Sequence, residues 1–223
     1  MTIPIPLTGL LPSDIRIAGA RIDDFVRELT PGEHLLIQKA VPGRQQEFAT
    51  GRVLARRLLS EAGHDGFELL RDEDRVPIWP AGVAGSISHS KELCLAAIGS
   101  TDRYRGVGID LEPDEPVQSG IERIVCRDAE QAWLEAADPE QQGLRCRIVF
   151  SVKEAVYKAF YPSLREFWSF QDVGVEIDLD ASSFIAEVPR STGVARVEGR
   201  VIQRAGWIVS GTALPRHTRV ASL

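Results

Sequence analysis

The chain has 223 residues, of which 43% are hydrophobic, enough to bury one large core or two small, tightly packed halves. Its 26 basic and 32 acidic side chains leave a net charge of −6, which argues against a general nucleic-acid binder but not against a local basic pocket. We find no signal-peptide pattern, no stretch long enough to span a membrane, and no metal or disulfide spacing among the three cysteines. The sequence predicts a cytoplasmic protein with free, buried thiols.

The first part of the chain mixes one helical pattern with several short strand patterns. Apolar residues recur at helical spacing until Gly63, where the helix is expected to stop. A loop rich in Pro and Gly separates the second expected strand from the third. The expected helix spans 44–62, and the expected strands span 15–22 (an edge strand), 67–70, 86–89 and 93–98.

The second part begins with a strand, continues with two helical patterns and ends in strand patterns typical of an antiparallel sheet. Helices beside small sheets in both parts predict an α+β fold, with an N-terminal half at 1–105 and a C-terminal half at 106–223. The expected strands are 106–113, 173–179, 183–188, 195–205 and 207–214, the helices 121–137 and 144–161, and a loose tail 215–223.

The segment GVGIDLEP carries two carboxylates, Asp110 and Glu112, two residues apart on the expected strand. Side chains at this spacing point to the same face, and adjacent carboxylates repel unless a cation or a proton lies between them. An isolated pair of this kind is more often simply solvated. Here the alternate residues are apolar, which predicts that the other face is buried and holds the carboxylates on a rigid element.

The run FSVKEAVYKAF, residues 150–160, places three charged side chains in an otherwise apolar helix. Glu154 and Lys158 are four residues apart and share a face, with Lys153 beside them. They are either an ordinary exposed pair or the charges of a site, since a buried ion pair adds little stability. Three carboxylates from two elements suit Mg²⁺, which binds oxygen ligands and substrate phosphates, and the lysines suit those phosphates.

Further polar residues have weaker signals. His89 follows Ser88 at a strand end, where a lone histidine is more often a structural hydrogen-bonding residue than a catalyst. Arg44 and Arg52 lie on one side of the expected helix and Arg71 follows it. Such arginines usually form a solvated face, but beside a metal-phosphate site they are suited to bind a second phosphate.

The order of three motifs carries a resemblance: W-P-x-G-x-x-G-S-x-S-H, then G-V-G-I-D-L-E, then F-S-x-K-E-A-x-Y-K-A. Over about 44–170 the chain resembles the 4′-phosphopantetheinyl transferase superfamily, and within it the bacterial type that acts on peptide synthetase, polyketide and siderophore carrier proteins. The last two motifs are specific in combination. The resemblance implies two similar α/β halves related by a pseudo-twofold axis, with the active site in the cleft between them.

The resemblance also implies roles for individual residues. Asp110, Glu112 and Glu154 match the metal ligands, with Glu154 or a metal-bound water as the base and Lys158 as the second catalytic residue. The residues that match positions contacting coenzyme A are Arg44, Arg52, Arg71, Ser88, His89, Lys153 and Lys158. The implied reaction is the Mg²⁺-dependent transfer of 4′-phosphopantetheine from coenzyme A to a serine of an apo acyl or peptidyl carrier protein, releasing 3′,5′-ADP. A monomer is implied.

Two other classes fit parts of the pattern. A magnesium-dependent nuclease also surrounds a metal with acids and a lysine, but its expected basic surface conflicts with the net charge of −6. A module that binds coenzyme A or a carrier without turnover is disfavoured by the complete set of acidic residues. A carrier surface is expected near 114–145, where four arginines either meet an acidic carrier or are ordinary surface; they are Arg123, Arg127, Arg145 and Arg147.

Overall fold

A computed structural model provides the structure, which describes residues 3–216. The order of helices and strands confirms the α+β fold class. The strands are β1 Arg16–Arg21, β2 Val83–His89, β3 Leu93–Ser100, β4 Tyr104–Pro113, β5 Gly174–Asp178, β6 Ser183–Glu187, β7 Arg196–Arg204 and β8 Trp207–Pro215. The helices are α1 Pro31–Ile37, α2 Pro42–Glu61, α3 Glu122–Val125, α4 Asp128–Glu135 and α5 Pro139–Leu164, with 3-10 turns at Val26–Glu28, Phe170–Asp172 and Arg190–Thr192.

The strands form two antiparallel sheets, each covered by one long helix. In the smaller sheet the order is β1-β3-β2, and α2 packs on it through Leu54, Leu58 and Leu59. In the larger sheet the order is β4-β8-β7-β6-β5, and α5 packs on it through residues such as Val152 and Val156. The pseudo-twofold relation between the halves and their division at 105/106 remain predictions.

The two sheets meet where β2 runs beside β4, and serine hydroxyls join them. The hydroxyl of Ser86 accepts a hydrogen bond from the backbone N–H of Ile109 at 3.2 Å. The hydroxyl of Ser88 accepts one from the N–H of Leu111, also at 3.2 Å. These bonds satisfy two buried backbone donors that face away from β8, and they place the end of β2 against the acidic end of β4.

Two glycines of β4 allow α5 to approach this strand closely. Residues 106, 108, 110 and 112 share one face of the strand because strand side chains alternate. A Cβ at Gly106 would stand 2.0 Å from the carbonyl oxygen of Ala159, and one at Gly108 would stand 1.9 Å from that of Ala155. The absence of side chains at both glycines thus brings the helix that carries Glu154 and Lys158 onto the face that carries the strand's carboxylates.

Several sequence-based predictions differ from the structure. The strand expected at 67–70 is wrong: this segment enters no sheet, and the N–H of Leu69 bonds to the Glu33 carboxylate instead. The helix expected at 121–137 is divided, because Cys126 has extended backbone (φ −98°, ψ 135°) between α3 and α4. Helix α1 was not predicted, although Thr30 and Glu33 form a capping box at its start.

The other expected helices and strands are confirmed with shifted ends; α5 runs from Pro139 to Leu164, beyond both of its predicted ends. All three cysteines are free and buried, as predicted. Pro215 still belongs to β8, and residues 217–223 of the expected tail lie outside the described part of the chain. Within residues 3–216, no helix has both the length and the apolar character needed to cross a membrane.

Candidate active site

The centre of the candidate site is an ion pair between β4 and α5. The ammonium of Lys158 lies 2.6 Å from Oδ1 of Asp110, and the Ser88 hydroxyl donates to the same oxygen at 3.0 Å. Lys158 also donates to the Ser88 hydroxyl at 3.1 Å. Burial lowers the pKa of Lys158, but the attraction of Asp110 and Glu154 outweighs it, so the pKa lies above its ordinary value. Lys158 is therefore a fixed cation at this point of the cleft.

Glu154 lies one turn before Lys158 on α5 and forms no hydrogen bond or ion pair with any described residue. It is half-buried. Burial raises the pKa of Glu154, repulsion by Asp110 adds to the increase, and Lys158 opposes it. A carboxylate that is desolvated and unpaired is a stronger proton acceptor than a solvated one, so Glu154 suits the role of a base.

Glu112 is held by a second cation. Its Oε2 lies 2.8 Å from the guanidinium of Arg147 on α5, which also donates through Nε to the carbonyl of Glu115. Burial raises the pKa of Glu112 first, Asp110 raises it further, and Arg147 opposes both. The charge of Asp110 thus acts on both Glu112 and Glu154, but the three carboxylates have unequal partners.

Two of the acidic side chains offer oxygen atoms suited to a divalent cation. Oδ2 of Asp110 is buried and has no hydrogen-bond partner among the described residues, which is rare for a carboxylate oxygen and fits a cation ligand. The free carboxylate of Glu154 adds a second oxygen donor of the type that Mg²⁺ prefers. In the arrangement shown, no three His, Cys, Asp or Glu side chains of the described residues are grouped closely enough to hold a metal ion.

Lys153, expected to contact coenzyme A, does not reach this cleft. Its ammonium is buried and lies 2.6 Å from Oε2 of Glu130, with further bonds to the carbonyls of Val125 and Phe170. Burial lowers the pKa of Lys153, and the pairing with Glu130 opposes the decrease. Turning Lys153 toward a phosphate would leave the Glu130 charge buried without a partner, which typically costs about 3–5 kcal/mol. The structure thus places Lys153 in a buried ion pair, and its contact with coenzyme A stays a prediction.

His89 and Arg44 meet at the end of β2. The Arg44 guanidinium donates to Nε2 of His89 and forms an ion pair with Glu47 at 2.9 Å. Burial lowers the pKa of His89, and the positive charge of Arg44 lowers it further, so the imidazole is neutral near pH 7. The structure thus places two residues from different elements, Arg44 and His89, side by side at the end of β2.

Arg52 and Arg71 both place their guanidinium groups over one aromatic ring, that of Phe48. The Arg52 guanidinium lies 4.5 Å from the centroid of the Phe48 ring and that of Arg71 lies 5.8 Å from it. Arg52 is only 5% exposed, and its Nε has no hydrogen-bond partner within residues 3–216. Burial lowers the pKa of Arg52 to about 10, which leaves it charged at neutral pH. A buried guanidinium with an unsatisfied donor points to an anionic ligand.

An apolar groove of about 480 Å³ opens beside Glu154 of α5. Its lining includes Tyr157, Trp168 and Phe170, and its rim includes the exposed side chains of Phe167 and Ile124. The site therefore has a cationic side at α2 and β2 and an apolar side at α5.

Two family models match the chain. One, described as the 4′-phosphopantetheinyl transferase N-terminal domain, covers residues 32–99. The other, described as the 4′-phosphopantetheinyl transferase superfamily, covers residues 106–203 and includes β4 and α5. Together the matches span the two groups of elements that form the cleft.

Three curated relatives are similar over most of their length. The chain is 34% identical to the 4′-phosphopantetheinyl transferase Svp of Streptomyces mobaraensis, over 86% of this chain and 81% of the relative. It is 33% identical to Npt of Nocardia iowensis (78% of each chain) and 31% identical to PptT of Mycobacterium tuberculosis (82% of each), both also named 4′-phosphopantetheinyl transferases. The chain therefore belongs to the 4′-phosphopantetheinyl transferase superfamily, as an enzyme of the bacterial type.

Sequence reasoning missed three residues that shape the site. Glu130 pairs with Lys153, Arg147 with Glu112, and Glu47 with Arg44. Glu130 is an N3 residue of α4, a signal that is hidden when α3 and α4 are taken as one helix. The sequence indicates Arg147 only as a carrier contact or as ordinary surface. Its pairing with Glu112 has no local signal, because the two residues are 35 positions apart in the chain.

Proposed function

We propose that this enzyme transfers 4′-phosphopantetheine from coenzyme A to a serine of an apo acyl or peptidyl carrier protein and releases 3′,5′-ADP. The observation that carries the proposal is the juxtaposition of Lys158 bound to Asp110 with the unpaired carboxylate of Glu154. One cation, one base and one orphaned carboxylate oxygen are what a transfer to a hydroxyl at a pyrophosphate requires.

Asp110, Glu112 and Glu154 are the residues proposed to hold Mg²⁺. The buried, unpartnered Oδ2 of Asp110 and the free Glu154 carboxylate support this assignment, and Glu112 would contribute its oxygen that is not bonded to Arg147. When bound, Mg²⁺ supplies charge neutralisation for the pyrophosphate of coenzyme A.

Glu154 is proposed to take the proton of the carrier serine, either directly or through a water. The serine oxygen forms a bond to the phosphorus that carries pantetheine, and the bond from that phosphorus to the ADP part breaks. Lys158 then stabilises the charge that develops on the departing phosphate. The raised pKa of Glu154 supports the first role, and the raised pKa of Lys158, which keeps it charged, supports the second.

The cationic side of the cleft is proposed to bind coenzyme A. Arg52, with its buried unsatisfied donor, and Arg71, on the same ring, form the deeper anion site. Arg44 and His89 add donors at the edge, where neutral His89 has one N–H. The Ser88 hydroxyl, already bonded to Asp110 and Lys158, lies between this side and the reacting centre.

The proposal extends to the setting of the enzyme. We place it in the cytoplasm, as a monomer that binds neither nucleic acid nor membrane and serves secondary metabolism such as siderophore biosynthesis. The acidic net charge of −6 supports the absence of nucleic-acid binding.

Intact-mass spectrometry of apo carrier proteins tests the proposed reaction. We expect a gain of one phosphopantetheinyl group after incubation with enzyme, coenzyme A and Mg²⁺, and no gain when a chelator is present. A gain that survives complete chelation contradicts the Mg²⁺ assignment only. If several acyl and peptidyl carriers remain unmodified although coenzyme A binds, the transfer itself is contradicted.

A further inference from the structure

The ion pair between Lys153 and Glu130 is buried beside the apolar groove and has no part in the chemistry proposed above. The Lys153 ammonium donates to Oε2 of Glu130 at 2.6 Å and to the carbonyls of Val125 and Phe170 at 2.7 and 2.9 Å. An ammonium has three N–H donors, so all of them are used. Lys153 therefore has no donor left for a substrate.

Glu130 is satisfied in the same way. Its Oε2 also accepts from the backbone N–H of Arg127 at 2.7 Å, and its Oε1 accepts from the N–H of Val175 at 2.7 Å. Lys153 and Glu130 thus connect α3, α4, α5, the 3-10 turn Phe170–Asp172 and β5. A buried network in which every member has its partner fixes the relative placement of the elements it joins.

The elements joined in this way form one wall of the apolar groove. Ile124 on the rim precedes Val125, and Phe170 contributes both a groove-lining side chain and the carbonyl that binds Lys153. Lys153 and the proposed base, Glu154, are consecutive residues of α5 and also line this groove. The ion pair therefore sets the distance between the groove wall and the proposed base.

We propose that Lys153, with Glu130, is a positioning residue for the protein that presents the acceptor serine. It holds the wall of the groove in place relative to Glu154 and makes no contact with coenzyme A. This inference rests on the proposed function, and it assigns the first lysine of the K-E-x-x-x-K motif to the acceptor side of the reaction.

Three variants test the assignment: Lys153→Met, Glu130→Gln, and the double variant that combines them. Lys39→Met is the matched control, since Lys39 is exposed and has no ion pair or hydrogen bond with the described residues. Each protein is measured for its thermal midpoint, its coenzyme A Kd by calorimetry, and its KM and kcat with an apo carrier.

We expect Lys153→Met to raise the carrier KM by about tenfold or more and to change the coenzyme A Kd by less than about threefold. Glu130→Gln, which leaves Lys153 charged without an anion, should raise the carrier KM in the same direction. The double variant should have a lower carrier KM and a higher thermal midpoint than the single variants, because it leaves no uncompensated buried charge.

The opposite pattern overturns the inference. If Lys153→Met weakens coenzyme A binding by about tenfold, leaves the carrier KM unchanged and is not rescued by Glu130→Gln, then Lys153 is a coenzyme A ligand. If Lys153→Met does not fold, a Glu130→Gln protein with wild-type carrier KM overturns it equally. Wild-type enzyme that modifies no carrier overturns the proposed function and this inference together, whereas active wild type with unaffected variants overturns the inference alone.

Discussion

At Asp110, two donors share one carboxylate oxygen while the other oxygen is buried without a partner. This asymmetry separates the role of Lys158 from that of a metal. Lys158 neutralises one side of the carboxylate, and the free side remains available for a cation. The motif D-x-E predicted which residues would meet, but not this division, because it depends on Ser88 and Lys158 from other elements.

The Lys158→Ala variant should lose turnover rather than coenzyme A affinity. The ammonium is bound to Asp110 at the proposed reacting centre, whereas Arg52 and Arg71 are proposed to form the deeper anion site, so we expect kcat to fall by about 10²–10³ and the coenzyme A Kd to change much less. Steady-state kinetics and calorimetry measure the two effects, with exposed Lys91→Ala as the control. An affinity loss at unchanged kcat would move Lys158 to a purely binding role.

The Glu154→Gln variant should be inactive in transfer yet more stable than the wild type near pH 7. The pKa of Glu154 is raised on folding by burial, so the folded protein binds this proton more tightly than the unfolded chain does. The stability it contributes is therefore full below the unfolded pKa and is lost as pH rises through the folded pKa. Gln, which cannot ionise, removes that loss.

Thermal unfolding of both proteins between about pH 4 and pH 8, without metal, measures this difference. The two midpoints should converge at acidic pH and diverge as the pH rises. A Glu154→Gln protein that is less stable than the wild type throughout the range would mean that the electrostatic attraction of Lys158 outweighs the cost of burying the carboxylate.

At the scale of elements, the site depends on how closely α5 packs on β4. A Cβ at Gly108 would stand 1.9 Å from the carbonyl of Ala155 and 2.7 Å from the N–H nitrogen of Ala159, so Gly108→Ala must displace the helix. We expect destabilisation of about 1–3 kcal/mol or more and reduced kcat in the protein that still folds. Urea unfolding and kinetics measure both effects.

Gly43→Ala is the control for this prediction. Apart from its chain neighbours and the backbone of its own helix, no atom of the described residues lies within 4 Å of the position that its Cβ would take, and its φ is not positive. That variant should be neutral or slightly stabilising, as is usual for Gly→Ala inside a helix. Wild-type stability and activity in Gly108→Ala would contradict the close approach of β4 and α5.

The elements that position the site were largely predictable, whereas their partners were not. Helical spacing and strand alternation predicted α2, β2, β3, β4 and α5 because each has a long, regular apolar face. The segment at 67–70 looked like a strand but is held by the Glu33 carboxylate, a contact between residues 36 positions apart. The burial of Lys153 against Glu130 could not be predicted for the same reason: it is a tertiary contact that leaves no local signal in the sequence.

At the scale of the whole molecule, the site lies between α2, which carries Arg44 and Arg52, and the β4–α5 contact, which carries the three acidic residues. The halves are also joined by Arg165, just after α5, which forms ion pairs with Asp72 at 2.5 Å and Asp74 at 3.5 Å. These pairs are partly exposed and contribute little stability by themselves. Ligands that contact both sides of the cleft should therefore stabilise the protein more than these pairs do.

We expect Mg²⁺ and coenzyme A together to raise the thermal midpoint of the wild type. At a ligand concentration of 100 times the Kd, the stabilisation by one ligand is about 2.7 kcal/mol. Asp110→Asn should lose the Mg²⁺-dependent part of the increase and keep the part that coenzyme A gives alone through the arginines. Thermal scans with each ligand alone and with both separate the two parts. An Asp110→Asn protein that responds to Mg²⁺ like the wild type would contradict the metal assignment.

The two serine hydroxyls between β2 and β4 differ in whether they contact the Asp110–Lys158 ion pair, and this difference can be measured at the backbone amides that they bind. The Ser88 hydroxyl binds the N–H of Leu111 together with Asp110 and Lys158, whereas the Ser86 hydroxyl binds the N–H of Ile109 without a charged partner. Events at the charge pair are thus thermodynamically linked to the Leu111 amide and much less to the Ile109 amide. A change at the ion pair should therefore change the hydrogen-exchange rate of the Leu111 amide relative to that of the Ile109 amide, which serves as the internal reference.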